Sequence, residues 1–449
     1  MKYWAIILFA VCSASAQVAY PLKLSAGKHY LVDQNGTPTF LQGEGAYSMI
    51  AQLSGPQADQ YLSNRWTKGF NCALVNLIEH QFTTVHPAPA NAYNVKPFTG
   101  LISGTWYDFS TINADYFTNV DYQLLRASNY NVCLFVFPAY LGFGGGSEGW
   151  YADMTHNSLT SLTNWGKYVA GRYMNFPNIV WVGGGDYNAA DKTGIDAVMY
   201  GILSVDSNHI VCAHSARNHS GLTDYTESWD LFNSTYTANI TASQTLTDYQ
   251  RSPVSPTFMI ESDYNGENSA TALTCREEAW QTVFSGAMGN FFGQTATWQF
   301  TSGYLTELDN SASTSITNLV KLLRTKSWWL GVPDTNSSVF TSGRGTGGIS
   351  SQGYISGLRA TDGTFVLAYF PDGVSTPTID MSKLQAQVSA SWFNCRDGSS
   401  SNFASYANSG SRTFTAPDSN DWVLVLDAPT VATTFTKTYG AGKHGTGTR

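Results

Sequence analysis

Asn178-Ile179-Val180-Trp181-Val182-Gly183-Gly184-Gly185-Asp186 and Thr257-Phe258-Met259-Ile260-Glu261 decide how this chain is read. Each is a short β-branched and aromatic run that closes on a carboxylate. Such runs read as strands buried on both faces, as in a parallel sheet. A charge at the far end of a buried strand must meet water or a ligand, because leaving it in an apolar interior is costly. Acids at the C-terminal ends of separate parallel strands are how a closed (β/α) barrel assembles a reactive site.

Working outward, similar apolar runs recur at Phe40–Gln42, Ala73–Ile78, Val132–Phe137, His209–Ala213, Leu231–Asn233 and Asn290–Gly293. Stretches of helical length separate them, among them Pro56–Lys68, Tyr116–Ser128, Ser158–Tyr173 and Arg276–Ala287. Ser54 is placed to cap the first of these, and Gly69 stands just past its end. Eight strands alternating with helices predict a (β/α)8 TIM barrel over residues 17–335, in which Asp186 ends the fourth strand and Glu261 the seventh. After Trp328-Trp329-Leu330 the pattern changes. Short runs separated by Thr361-Asp362-Gly363-Thr364, Pro371-Asp372-Gly373 and Arg396-Asp397-Gly398 predict a small antiparallel β-sandwich over 336–430, closing on Trp422-Val423-Leu424-Val425-Leu426. The Thr- and Gly-rich stretch 431–449 reads as an unpacked tail.

Composition narrows the class. Of the 449 residues 43% are hydrophobic, which fills a large core, whereas only 12% are charged, which suits an exported protein with a polar, uncharged surface. Residues 1–16 read as a cleaved signal peptide: Met1-Lys2, the apolar stretch Tyr3–Cys12, then Ser13-Ala14-Ser15-Ala16 before Gln17. That stretch is too short to span a bilayer, so no membrane association is expected. The net charge of −8, without a basic run, argues against nucleic acid as a partner. Once Cys12 leaves with the leader, five cysteines remain; no C-x-x-C pair exists, and an odd number leaves at least one thiol free.

Two opposed carboxyls suit glycosidic-bond chemistry. One must carry a proton for the leaving oxygen; the other must be ionised, to attack the anomeric carbon or to activate water. Burial and mutual repulsion separate their pKa values and so their roles. Asp186 is assigned as acid/base and Glu261 as nucleophile, against the bland readings of a helix cap and a structural ion pair. Polar and aromatic residues at strand ends, Glu44, Asn76, Glu79, His80, Tyr140, His214, Tyr236, Tyr264 and Trp298, are the expected sugar contacts. No metal and no cofactor is expected, because His80 and His214 lack metal-ligand spacing. Gly144-Gly145-Gly146-Ser147-Glu148-Gly149 matches both a dinucleotide fingerprint and an esterase elbow. The long loop around it fits neither context.

Leu31-Val32-Asp33-Gln34-Asn35-Gly36, Phe40-Leu41-Gln42-Gly43, Val75-Asn76-Leu77-Ile78-Glu79-His80, Phe176-Pro177-Asn178-Ile179-Val180-Trp181 and Gly184-Gly185-Asp186 resemble the apiosidase-like glycoside hydrolases (glycoside hydrolase family 140). Trp392-Phe393-Asn394 with Asp421-Trp422-Val423-Leu424-Val425-Leu426-Asp427 is similar to the β-sandwich that follows this barrel and is labelled collagen-binding. The resemblance implies a retaining barrel with an Asp acid/base on strand four and a Glu nucleophile on strand seven, which fall on Asp186 and Glu261. It also implies an exo-acting enzyme on plant cell-wall pectin that releases apiose from rhamnogalacturonan side chains. Departures stand at Glu44 and Tyr47 in Gly43-Glu44-Gly45-Ala46-Tyr47, at Tyr264-Asn265-Gly266, at Asn233-Ser234-Thr235, at Asn290 and at Cys395. All but the last are expected around the pocket. The alternatives are an exo-glycosidase for another pentofuranoside, such as arabinofuranose, and a non-catalytic carbohydrate-binding protein.

Overall fold

Strand parity explains why the barrel runs look continuously apolar. The computed structural model describes residues 17–429 apart from Thr346, Asp372 and Val374. The expected leader 1–16, with Cys12, and the expected tail 431–449 lie outside the described residues, as does Asp372 of the Pro371-Asp372-Gly373 turn. The chain forms β1 (Leu41–Gly45), α1 (Gly55–Thr67), β2 (Cys72–Asn76), α2 (Phe117–Asn129), β3 (Cys133–Phe137), α3 (Leu159–Tyr173) and β4 (Ile179–Gly184). It continues with α4 (Thr193–Leu203), β5 (Val211–His214), β6 (Asn233–Tyr236), α5 (Thr241–Tyr249), β7 (Thr257–Glu261), α6 (Ala272–Phe284), β8 (Gly289–Gln294) and α7 (Ser311–Leu323).

Parallel ladders run β6–β7–β8–β1–β2–β3–β4–β5. Between β5 and β6 the Leu231 amide donates to Val211 O (3.1 Å) and Ser234 Oγ donates to Ala213 O, which brings the ends of the sheet together. Cys72, Leu74, Phe135, Phe137, Val180, Val182, Phe258 and Ile260 fill the barrel. Their alternates Ala73, Val75, Leu134, Val136, Ile179 and Trp181 pack beneath the helices. Both faces are therefore buried, as a parallel sheet requires. The helices cover it because their starts and stops are written locally. At the N-terminus of α1, Gln57 Oε1 accepts from the Ser54 amide (3.0 Å) in a capping box, with Pro56 in the first turn. The five described cysteines are all free and buried, and burial raises their thiol pKa values, so they behave as small apolar side chains.

The sandwich comprises β9 (Gly331–Pro333), β10 (Phe340–Ser342), β11 (Ser356–Ala360), β12 (Phe365–Phe370), β13 (Thr378–Asp380), β14 (Val388–Asn394), β15 (Ser400–Tyr406), β16 (Ser411–Thr413) and β17 (Trp422–Asp427). One antiparallel sheet runs β9–β11–β12–β17–β14–β15, the other β10–β13–β16. The first sheet takes in Gly331–Pro333, a few residues ahead of 336. Parity works here too. Phe365, Leu367 and Tyr369 pack with Trp280, Phe284 and Leu319 of the barrel helices, while Val366, Ala368 and Phe370 face the second sheet. Trp280 stacks on Tyr369 at 5.9 Å. Beside them Arg276 grips Asp421 through Nε (2.8 Å) and Nη2 (3.0 Å), a bidentate clasp. Barrel and sandwich share one core.

Candidate active site

Asp186 and Glu261 line one cleft of about 460 Å³, within the roughly 300–1,000 Å³ usual for small-molecule sites. Asp186 stands two residues beyond β4, with φ +49°, a left-handed conformation that Asp tolerates better than most side chains. The turn needs Gly185 just before it. At φ +130° that residue lies so close to the Tyr140 ring that a Cβ would meet Cδ2 at 2.3 Å. The chain thus presses Tyr140 against the turn and delivers the Asp186 carboxyl into the cleft.

The two carboxyls have different surroundings. Glu261 Oε2 accepts from Tyr47 Oη (2.9 Å) and lies 2.7 Å from His214 Nε2. His214 is fully buried, and its Nδ1 sits 3.1 Å from the Asp186 amide nitrogen. A proton on Nε2 serves Glu261 and leaves Nδ1 to accept from the Asp186 amide, whereas a proton on Nδ1 would serve Ser215 O, 2.9 Å away. Asp186 Oδ1 is buried without a hydrogen-bond partner. Burial first, then the neighbouring charges of Glu261 and Glu148, push the Asp186 carboxyl up to about 8, with Arg217 opposing. One carboxyl accordingly holds its proton at neutral pH, beside another that is supplied with donors. The pair can deliver a proton and an anionic oxygen to the same substrate.

Of the expected sugar contacts, Tyr140, Tyr236, Tyr264 and Trp298 line the cleft. A register shift between Thr235 and Tyr236 sets Tyr236 opposite Glu261. Trp298 is steered by its indole N–H, which donates to Glu267 (2.8 Å). His214 touches Glu261 rather than forming the cleft wall. Glu44, Asn76, Glu79 and His80 are not on that wall either. Leu41 points into the barrel and Glu44 has the opposite parity. Its carboxylate meets Arg65 (3.2 Å) and Tyr61 Oη (3.1 Å) of α1 and Gln294 Nε2 (3.0 Å) of β8. Asn76 and Glu79 are buried against each other, Nδ2 donating to Oε2 (3.3 Å), and Ser48 Oγ also donates to Glu79 (2.8 Å). His80 joins Ser147 O (2.7 Å) and Asp153 (2.9 Å). Glu44, Glu79 and His80 are thus taken up by their neighbours, whereas Asn76 Oδ1 is buried without a partner.

The departures from the family pattern divide in the same way. Tyr47 and Tyr264 face the cleft, whereas Asn233 and Asn290 lie at the opposite, N-terminal ends of β6 and β8. Tyr47, Phe82, Phe143, Glu148, Arg217, Ser262, Asp263, Glu267 and Asn268 complete the wall without having been singled out as contacts. Arg217 Nη2 donates to Asp263 at 2.5 Å. The available signal was position just after a strand: Tyr47 follows β1 by two residues, Arg217 follows β5 by three and Asp263 follows β7 by two.

Residues 25–330 match the family described as "Apiosidase-like, catalytic domain", and residues 348–427 match "Putative collagen-binding domain of a collagenase". No curated protein matches the chain. A glycoside hydrolase family 5 structure from Bacteroides vulgatus is similar at 21% identity with a TM-score of 0.77, over 90% of this chain and 93% of that one. Another solved structure, titled "Glycoside hydrolase", is similar at 20% identity with a TM-score of 0.75, over 91% of this chain and 97% of that one. At such identities these likenesses show the fold, a (β/α)8 barrel followed by a β-sandwich. The family match covers two thirds of the chain: it belongs to the apiosidase-like family and is a glycoside hydrolase.

Proposed function

We propose that this apiosidase-like protein is an exported, retaining exo-glycosidase that releases a terminal apiose-like furanoside from plant cell-wall polysaccharide. Asp186 is the acid/base and Glu261 the nucleophile. One observation carries the reading: two carboxyls from β4 and β7 face one cleft, one raised to about 8 and the other held by Tyr47 and His214. The modest cleft volume supports recognition of a chain end, and the leader-like residues 1–16 support export.

The steps follow from these states. Asp186 gives its proton to the glycosidic oxygen as the C–O bond breaks, and Glu261 forms an ester bond to the anomeric carbon. The hydroxyl of Tyr47 and the imidazole N–H of His214 keep the Glu261 oxygen aimed until charge leaves it. Asp186, now ionised, takes a proton from water, which attacks the anomeric carbon and frees Glu261. The Asp186 carboxyl is reprotonated by that same step. Tyr140, Tyr236 and Trp298 offer ring faces and hydroxyls to the sugar.

The test is a panel of aryl furanosides, including apiosides and arabinofuranosides, together with rhamnogalacturonan fragments. Proton NMR follows the first-formed anomer, beside Asp186→Ala and Glu261→Ala. Retention, with loss of turnover in both variants, is expected. Inversion removes the nucleophile role. Turnover that survives both substitutions removes the catalytic pair.

A further inference from the structure

A second cleft opens at the other end of the barrel from the carboxyls. Its volume is about 310 Å³, at the lower end of the roughly 300–1,000 Å³ usual for small-molecule sites. Gly286, Ala287 and Met288, which lead into the N-terminal end of β8, form one side. Residues 328–332, where barrel passes into sandwich, form another. Asp186 and Glu261 stand at the C-terminal ends of β4 and β7, so the two clefts lie on opposite faces of the sheet's strand ends.

The walls of this cleft are fixed. Trp328 sits edge-on to Phe40 (5.4 Å) and Tyr30 (5.9 Å), and Trp329 stands edge-on to Trp328 at 6.1 Å. The backbone there is tied down: the Leu330 amide donates to Ser327 O (2.9 Å), the Thr361 amide donates to Leu330 O (2.8 Å), and β9 pairs with β11. On the barrel side His29 stacks on Tyr249 at 3.7 Å. Gly286, at φ +108°, passes so close to the same ring that a Cβ would meet Tyr249 Cδ2 at 2.2 Å. Trp329 nevertheless keeps 38% of its surface exposed. An indole left open in a rigid, aromatic-walled cleft is a surface for the C–H face of a sugar.

Charge sets this cleft apart from the first. Five carboxyl side chains line the catalytic cleft, Glu148, Asp186, Glu261, Asp263 and Glu267. Among the described residues no carboxylate lines the second one, where the charged group is Lys28. The Lys28 side chain is exposed and makes no ion pair among the described residues. Burial pushes the His29 imidazole below its ordinary value, so that ring stays neutral and the ammonium sets the local charge. On a chain of net charge −8, an unpaired ammonium beside open aromatic rings complements a sugar that carries a carboxylate.

We propose that this cleft is a second saccharide site, which holds a uronate-bearing stretch of polysaccharide on Trp329, with Lys28 as the partner of the carboxylate. This rests on the chain being a glycoside hydrolase and not on which sugar Asp186 and Glu261 release. The probes are a linear hexuronate trisaccharide and its neutral counterpart, with the carboxyls reduced to alcohols. Each is titrated into the full chain while the indole N–H signals are followed by NMR, Trp329→Phe assigning the signal of Trp329. The Trp329 indole is expected to shift with the hexuronate, in wild type and equally in Trp298→Ala, which strips a ring from the catalytic cleft. The neutral probe is expected to bind at least about fivefold more weakly at low ionic strength, with a smaller gap at high salt. Lys28→Gln should remove most of that gap. Trp329→Ala, followed through the Trp328 indole, should weaken binding about tenfold. In both variants kcat/KM on a small aryl glycoside should equal that of wild type.

A Trp329 indole that neither probe moves at millimolar concentration overturns the site. Equal affinity for the two probes, or a gap unmoved by Lys28→Gln, overturns the assignment of a uronate. Binding at Trp329 by a protein that hydrolyses no glycoside would refute the proposed function and leave this site standing.

Discussion

The cleft and the seam between barrel and sandwich both bury charge, and they treat it in opposite ways. At the seam Arg276 and Asp421 meet in two bonds, Ser315 Oγ accepts from Arg276 Nη1 (3.2 Å), and Trp280 and Tyr369 seal the contact. At the barrel wall the Glu44 carboxylate is likewise taken, by Arg65, Tyr61 and Gln294, although Arg65 Nε is buried without a partner. In the cleft, half-buried Asp186 lies beside two further carboxyls, and its buried Oδ1 has no partner. A buried charge whose bonds are all made holds the fold together. A buried carboxyl left short of partners beside another carboxyl is disposed to exchange a proton.

Substitutions at the two places should separate these uses of charge. Removing the acid has the largest expected effect: Asp186→Asn should lower kcat/KM by about 10²–10⁴, with Glu261→Gln at least as damaging, and both proteins should remain folded. At the seam the effect should fall on stability instead. Arg276→Ala removes the bidentate partner of buried Asp421 and leaves it only Arg396 Nη1 at 3.4 Å, and should cost at most about 3–5 kcal/mol in denaturant unfolding, with kcat/KM of the folded enzyme near wild type. Arg276→Met combined with Asp421→Leu should recover most of that loss. A smaller catalytic effect is expected at Tyr47, which supplies one of the two polar contacts to Glu261 Oε2. Tyr47→Phe should lower kcat/KM by about ten- to a hundredfold, in keeping with about 1.5–3 kcal/mol for a hydrogen bond to a charged group.

The smallest effect is one of stability against pH. Asp186 is raised from an ordinary carboxylate value to about 8 in the folded protein. Between about pH 4 and the folded value the native state holds a proton that the unfolded chain has released, so stability declines with rising pH across that window. The contribution is whole below the unfolded pKa and lost above the folded one. Asp186→Asn should therefore raise the Tm by a few degrees at about pH 9, yet change it little at about pH 4. A variant equally stabilised at both values would separate the effect from the proton.

How much of this was legible in the sequence follows from which interactions are local. The barrel runs, the Ser54 cap and the turn-punctuated sandwich depend on residues a few positions apart, and they lie close to where the pattern puts them, except that the sixth strand runs Asn233–Tyr236 and shares only Asn233 with the expected Leu231–Asn233. Asp186 and Glu261 were visible because each directly ends or closely follows a buried run. Glu44 also ends such a run, but parity turns it outward to Arg65, and parity at a strand end cannot be read until the inward residues are known. Asn76, Glu79 and His80 belong to buried or loop-holding contacts whose partners, Ser48, Ser147 and Asp153, lie far away in sequence for the most part. Arg217, Glu148 and Phe143 come from loops with no period at all. Their approach to the carboxyls is a property of the closed barrel, not of their neighbours along the chain. Arg276 and Asp421, 145 residues apart, are hidden for the same reason.

The central claim is that burial, reinforced by the neighbouring Glu261 carboxyl, keeps the proton on Asp186. It can be measured without a substrate, by carbon-13 NMR titration of the Asp186 carboxyl in wild type and in Glu261→Gln. The account predicts a titration near pH 8 in wild type that moves clearly lower once the Glu261 charge is gone. Titration of Asp186 in the ordinary carboxylate range near pH 4, unmoved by Glu261→Gln, would contradict it.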